Sequence, residues 1–216
     1  MSLSVNVIVR DGVTPPSDIV RAIRSIADIA DEIVVVDTGS TDGTISVLRG
    51  MLDLAGKMRV FRHRWRDDFA EARNYALDRS NCDWIMWLDD DEEVPKESVE
   101  KIGKLIEGDP VGYIFFLDGP ELSGHTPQLR LFPRVSGARW RYAVHEQIAP
   151  ALIEAGIRIE ERPDVRIYHY GYSDPARIHA SWVRNGMIAK RHLSDGEWYE
   201  EIYRSYLEYK GIKEGG

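Results

Sequence analysis

The 216-residue sequence has a single cysteine, Cys82, no long apolar run, and fewer basic than acidic side chains. One cysteine cannot close an intramolecular disulfide, so the fold must be held by its core, and this usage suits a reducing compartment. No apolar stretch approaches the roughly 18 residues a membrane-spanning helix needs. The opening MSLSVNVIVRDG has neither the charged start nor the long apolar core of a secretory signal. Together these absences lead to the expectation of a cytoplasmic protein without a transmembrane segment. With 28 Lys and Arg against 36 Asp and Glu, the formal net charge is −8. That balance argues against a general nucleic-acid binder, because neutralising a phosphate backbone needs a concentrated basic surface.

What is present is ordinary for a folded chain: 43% hydrophobic and 30% charged residues, in a length that fits one large domain or one domain with a small appendage. Apolar segments alternate with helical patterns, the mark of parallel βαβ units. Val5–Val9 reads as a first strand, and Pro15-Pro16-Ser17 as a turn before Ile19, Ile23, Ile26 and Ala30 recur at helical spacing. Ile33–Val36 is a second strand, apolar throughout as burial on both faces demands. A helix is expected from about Gly43 to Leu54, with Ile45, Leu48 and Leu52 on one face and Gly56 as its stop. Met58–Phe61, Ala70–Asp78 and Trp84–Leu88 follow as strand, helix and strand, and Pro95 opens a helix carrying Val99, Ile102 and Ile106. After Gly108 the texture changes. Tyr113–Leu117 is a strand, Gln128–Ile148 and Ile157–Tyr170 read as interrupted strands in a mixed or antiparallel arrangement, and two helices close the chain at about Pro175–Leu193 and Glu197–Lys210.

Two acidic stretches fall just past the carboxyl ends of buried strands, the edge where open α/β sheets bind ligands. One is WIMWLDDDEE, five apolar residues running into Asp89-Asp90-Asp91-Glu92-Glu93; the other is VDTGSTDGT, from Val36 to Thr44. Crowded carboxylates repel unless they are solvated or share a cation. A helix-dipole reading accounts for Glu92 and Glu93 ahead of Pro95 but less well for Asp89–Asp91. In VDTGSTDGT, capping by Thr41 or Asp42 and unusual backbone angles at the glycines would explain the composition without a site.

In order, these stretches together with DDFAEARNYAL, RLFPR, VHEQI and IYHYGY resemble the family 2 glycosyltransferases, nucleotide-sugar-dependent enzymes with a GT-A fold. The likeness runs from Val5 to about Tyr172. It is nearest to the branch with a D-x-D-E after an aromatic strand and later His-Glu and His-Tyr-Gly-Tyr sequences. The resemblance implies an α/β GT-A fold with a mainly parallel sheet, divided into a nucleotide-binding half (1–108), an acceptor-side half (109–172) and a C-terminal helical extension (173–216). It also implies that Asp37 contacts the base, most often uracil, that Asp42 and Arg73 help build the nucleotide pocket, and that Asp89 faces the ribose or metal. Asp91 would ligate Mn²⁺ or Mg²⁺ bridging the phosphates, and hard oxygen donors suit either ion. The sequence departs from that branch at Arg10–Pro16, where an Asn-Glu-Glu type of sequence is usual, and at Asp90, which replaces a small middle residue and would either face solvent or join the metal shell.

His145 and Glu146 are the candidate acceptor-side base, Glu146 first and His145 second, with Asp118 and Glu121 as further possibilities. His169 is a candidate metal ligand, against the alternative of a hydrogen-bonded core histidine. Arg130, Arg134, Arg139 and Arg141 either form a patch for an anionic acceptor or line a solvated face. Arg62-His63-Arg64-Trp65-Arg66 reads as a solvated loop, with a phosphate site as its alternative, and the aromatic stripe of the last helix as packing, with a homodimer contact as its alternative. The expected function is metal-dependent, inverting transfer of a sugar from a UDP-sugar to a glycan, lipid-linked, protein or modified nucleic-acid acceptor. Two other readings compete. A sugar nucleotidyltransferase would need a Gly-rich activation loop after the first strand, which is missing. A non-catalytic nucleotide-sugar or glycan-binding protein would keep the fold without turnover.

Overall fold

The structure is a computed structural model, and it describes residues 1–119, 126–171 and 175–210. Glu121 and Tyr172 lie outside the described residues. The first half is built as expected: β1 (Leu3–Val9), α1 (Ile19–Ile26), β2 (Glu32–Asp37), α2 (Thr44–Gly50), β3 (Met58–Arg62), α3 (Phe69–Leu77) and β4 (Trp84–Asp89). Then come the two-residue β5 (Glu92–Glu93), α4 (Lys96–Leu105), β6 (Gly112–Asp118), β7 (Thr126–Pro133), α5 (Ala149–Glu154), β8 (Ile159–His169), α6 (Pro175–Arg191) and α7 (Glu197–Tyr209).

The eight strands form one sheet in the order β3-β2-β1-β4-β7-β6-β8-β5. The four on the N-terminal side are mutually parallel. β7 runs antiparallel to both β4 and β6, whereas β8 is parallel to β6 and antiparallel to β5. Strand alternation divides the core. Trp84, Met86 and Leu88 of β4 face one layer with α1 and α4, while Ile85 and Trp87 face another with Leu77, Phe132 and Trp140. Burying both faces is why β2 is apolar from Ile33 to Val36.

Three expectations are corrected. The helix after β2 ends at Gly50, and a separate 3₁₀ turn, Leu52–Leu54, follows. Leu52 is 77% exposed, so it does not share the buried face of Leu48. Residues 134–148 form no strand beyond one bridge between Arg141 and Gln147; the chain there leaves the sheet and covers it with Trp140. Glu92 and Glu93 belong to β5 rather than to a helix N-terminus. Glu92 is fully buried and paired with Arg130, a partner many positions away in sequence.

Candidate active site

Parallel pairing puts Asp37 opposite Val9 and Asp89 opposite Ile8, so the acidic ends of β2 and β4 flank the end of β1. A cavity of about 620 Å³ opens there. Its floor is the end of β1 and Asp89–Asp91; Trp65 lines it from the loop after β3, Phe69 and Arg73 from α3, Val144–Glu146 from the loop before α5, and α6 from above.

Asp89, Asp91 and His169 each offer one ligand atom, all within 4.8 Å of one another. Backbone pairing makes this possible. Glu92 pairs with His169 between β5 and β8, and the Tyr170 amide donates to the Asp91 carbonyl at 2.9 Å. His169 Nε2 stands 3.6 Å from Asp91 Oδ1. A Cβ on Gly171 would come within 2.2 Å of Asp91 Oδ2 and 2.7 Å of His169 Cε1, so only glycine leaves this cradle intact. Two carboxylates and an imidazole fit Mn²⁺, and the carboxylates alone fit Mg²⁺. The loop is braced from beneath: Glu92 accepts the Asp89 amide at 2.9 Å and a two-pronged bond from Arg130 at 2.6 and 2.7 Å.

Arg73 organises the opposite wall. Its guanidinium lies 3.9 Å over the Trp87 ring and donates to Asp89 at 3.0 Å and to Glu146 at 2.5 Å. Burial alone would weaken its hold on its proton, but Glu146 and Asp89 outweigh that and raise its pKa. Asp89 is 30% accessible through the cavity. Burial pushes its carboxyl up, yet Arg73 and Arg130 hold it below the ordinary carboxylate range. Asp90 goes the other way: burial first, then repulsion from Asp91 and Asp89, lifts it to about 7. For His145, burial lowers the ring pKa, with Arg184 adding and Glu146 opposing. Its backbone has φ 52, and Tyr142 has φ 70. The strained segment between them is clamped by α7, where the Ala143 amide donates to the Tyr199 hydroxyl at 2.8 Å and the Trp198 indole to the Val144 carbonyl at 3.2 Å.

Of the residues singled out in sequence, Arg73, Asp89, Asp90, Asp91, His145, Glu146 and His169 all line the cavity. Asp37 is buried at the edge of that floor and accepts the Ser40 amide at 3.1 Å. Asp42 stands outside it. Burial pushes its carboxyl up, but hydrogen bonds from Thr44, Thr14 and the Val13 amide bring it down to about 2. It thereby pins the loop after β1 to the loop after β2, with Gly43 at φ 96 making the turn. Asp118 pairs with Arg166 and lies outside the cavity lining. The four arginines read as a patch disperse: Arg130 to Glu92, Arg134 to the Cys82 carbonyl, Arg139 to Asp78 and Arg141 to Glu154. In the Arg62–Arg66 run the arginines are exposed, and Trp65 turns in to the cavity. Arg177 and Arg184 of α6, which carried no signal before the fold brought them here, face the carboxylates.

A sheet whose parallel half carries acidic strand ends and whose second half mixes antiparallel and parallel pairings is similar to that of the GT-A glycosyltransferases, and solved members of that class superpose on this one. S. aureus TarS residues 1–349, in complex with UDP-GlcNAc, matches over 96% of this chain and 72% of its own, with TM-score 0.64 and 17% identity. The mannosyltransferase PcManGT from Pyrobaculum calidifontis, in complex with GDP-Man and Mn²⁺, matches over 95% of this chain and 69% of its own, with TM-score 0.64 and 17% identity. Residues 4–151 match the family model of Glycosyl transferase family 2, and the chain belongs to that family. The lipopolysaccharide core biosynthesis glycosyltransferase LpsC of Rhizobium meliloti is 32% identical over 147 residues, 60% of this chain and 52% of LpsC. The SPbeta prophage-derived glycosyltransferase SunS of Bacillus subtilis is 26% identical over 161 residues, 71% of this chain and 36% of SunS. A TPR repeat-containing protein of Synechococcus elongatus is 31% identical over 160 residues, 70% of this chain and 38% of its own length. The chain thus spans between about a third and a half of the length of these relatives. Among the described residues no helix is long and apolar enough to cross a membrane.

Proposed function

We propose that this chain moves a sugar from a nucleoside-diphosphate sugar, a UDP-sugar first among them, to an acceptor hydroxyl with inversion at the anomeric carbon. The observation that carries the reading is the convergence of Asp89, Asp91 and His169 from two strands beneath one cavity. The ligands named for the structural neighbours support it: UDP-GlcNAc with TarS, GDP-Man and Mn²⁺ with PcManGT. In this reading Asp37 reads the base edge, Asp42 shapes the pocket by pinning its two loops, and Asp89 and Asp90 line the ribose and diphosphate. Asp91 and His169 would hold Mn²⁺ or Mg²⁺, which would supply charge neutralisation to the departing diphosphate.

The acceptor side is the loop 142–146. As the acceptor oxygen bonds to the anomeric carbon, the bond to the diphosphate breaks with its electron pair leaving on the phosphate, and Glu146 takes the acceptor's proton. Arg73 keeps Glu146 aimed into the cavity. His145 is the second reading for the base, favoured by its lowered pKa, which leaves the ring neutral at pH 7.

Release of nucleoside diphosphate, measured over a panel of donors with and without Mn²⁺, tests the proposal. Turnover should require the metal, and Asp91→Asn should abolish it with the fold intact. Donor binding without turnover against any acceptor class would favour a binding protein instead. Glu146→Gln should lose roughly 10²- to 10⁴-fold in turnover while still binding UDP. If His145 is the base, the rate of the Glu146→Gln variant should stay high and fall only as the pH drops below the usual histidine range.

A further inference from the structure

Helix α6 presents one face to the cavity, with Arg177, Ser181, Arg184 and Asn185 following one another at helical spacing. Arg177 is drawn to the acidic floor, its NH2 standing 3.4 Å from Asp91 Oδ2 and 4.0 Å from Asp90 Oδ1. Its side chain is 36% accessible where that of Asp91 is 9%, so it covers Asp91 from the open side. Arg184 spends its hydrogen bonds on neutral groups of its own helix, Asn185 Oδ1 at 3.2 Å and Ser181 Oγ at 3.1 Å. Two guanidinium groups on one helix therefore look across the cavity at a trio of metal-ligating type.

Two features argue against a purely structural pair. At 3.4 Å, with the Arg177 side chain 36% accessible over a buried Asp91, the contact is longer than the roughly 2.7–2.9 Å of a well-formed charge-assisted bond, so the guanidinium is loosely held. A cation held by Asp91 and a guanidinium held by Asp91 also compete for the same carboxylate, and the guanidinium fork has a better partner in a phosphate, which it can grip at two oxygens. Resting on the glycosyl-transfer reading, we infer that Arg177 exchanges partners. It yields Asp91 to the divalent cation and, together with Arg184, binds the donor's diphosphate from the α6 side. The diphosphate is then gripped from both sides, by the metal shell on the strands and by two arginines on the helix.

Isothermal titration on the whole chain separates the two halves of this exchange. Mn²⁺ alone is the first probe, and inorganic pyrophosphate at saturating Mn²⁺ is the second, so that the result does not depend on which base the protein reads. Arg177→Gln should bind Mn²⁺ severalfold more tightly than the wild type and pyrophosphate roughly tenfold more weakly, the loss of a charge-assisted bond to phosphate. Arg177→Lys, which keeps the charge and loses the fork, should leave Mn²⁺ affinity near the wild type and still weaken pyrophosphate; it also serves if the Gln variant misfolds. Arg184→Gln should weaken pyrophosphate. Unchanged or weaker Mn²⁺ binding in Arg177→Gln, or unchanged pyrophosphate binding in both Arg177 variants, overturns the exchange. Asp91→Asn, titrated in parallel, tells the two failures apart: if it binds Mn²⁺ as the wild type does, the metal site itself is wrong and the exchange falls with it.

Discussion

Arg130 and Glu92 have no solvent-accessible side-chain surface, and their two-pronged pairing sits directly under the Asp89 amide. Removing one member leaves an uncompensated buried charge, so Arg130→Met should cost about 3–5 kcal/mol, read from urea denaturation. Replacing both partners with apolar residues should cost far less, because the desolvation penalty disappears with the charges. Gly171→Ala belongs to the same scale but has a different outcome. Its Cβ would strike Asp91 and His169, so Mn²⁺ affinity should fall while the melting temperature changes little. None of this was visible in the string of acids. Charge at Asp89–Glu93 suggested a site, but only pairing across β5 and β8 separates the buried brace, Glu92, from the residues that face the cavity.

Helices α6 and α7 cross where Gly186 meets Tyr206, and a Cβ there would lie 2.1 Å from the Tyr206 ring. Gly186→Ala should therefore pry the pair apart and lower the melting temperature by several degrees, and because α6 roofs the cavity, pyrophosphate binding should weaken with it. Tyr199→Phe is the subtler change: it strips the buried Ala143 amide of its acceptor, a loss of about 1–3 kcal/mol. Turnover should drop more than donor affinity, since the segment it releases carries His145 and Glu146. Helices α6 and α7 were legible from their apolar spacing, and β2 and β4 from apolar runs that suit burial on both faces, whereas the short helix α5 (Ala149–Glu154) carried no such signal and was not expected. The segment 134–148 was not. Trp140 and Val144 look like strand residues in sequence, yet Trp140 is buried by lying over the sheet and Val144 by packing against α6 and α7.

For the whole molecule, the acid side of the stability profile follows from carboxylates held below their unfolded values. Asp42, at about 2, and Glu32, which its hydrogen bonds to Ser4 and Asn81 and its pairing with Arg59 lower against the opposing push of burial, are the clearest cases. Groups of this kind contribute stability above the unfolded carboxylate pKa near 4 and lose it as the pH falls through their folded values. Melting temperature should thus fall steeply between about pH 4 and 2, and Asp42→Asn should flatten that slope. The order of strands in the second half could not be read from the chain, since antiparallel pairing of β7 and return of β8 are long-range choices. The same distance explains why Arg177 went unnoticed as a neighbour of Asp91. It also bears on how the protein comes off the ribosome. The crevice between β1, β2 and β4 is assembled from segments that emerge before β8, whereas β5 has no strand partner until β8 arrives. On the proposed assignment of base and metal sites, a nascent chain would complete the base-binding crevice before the metal-binding trio, and Mn²⁺ capture during refolding should appear only once β8 has docked.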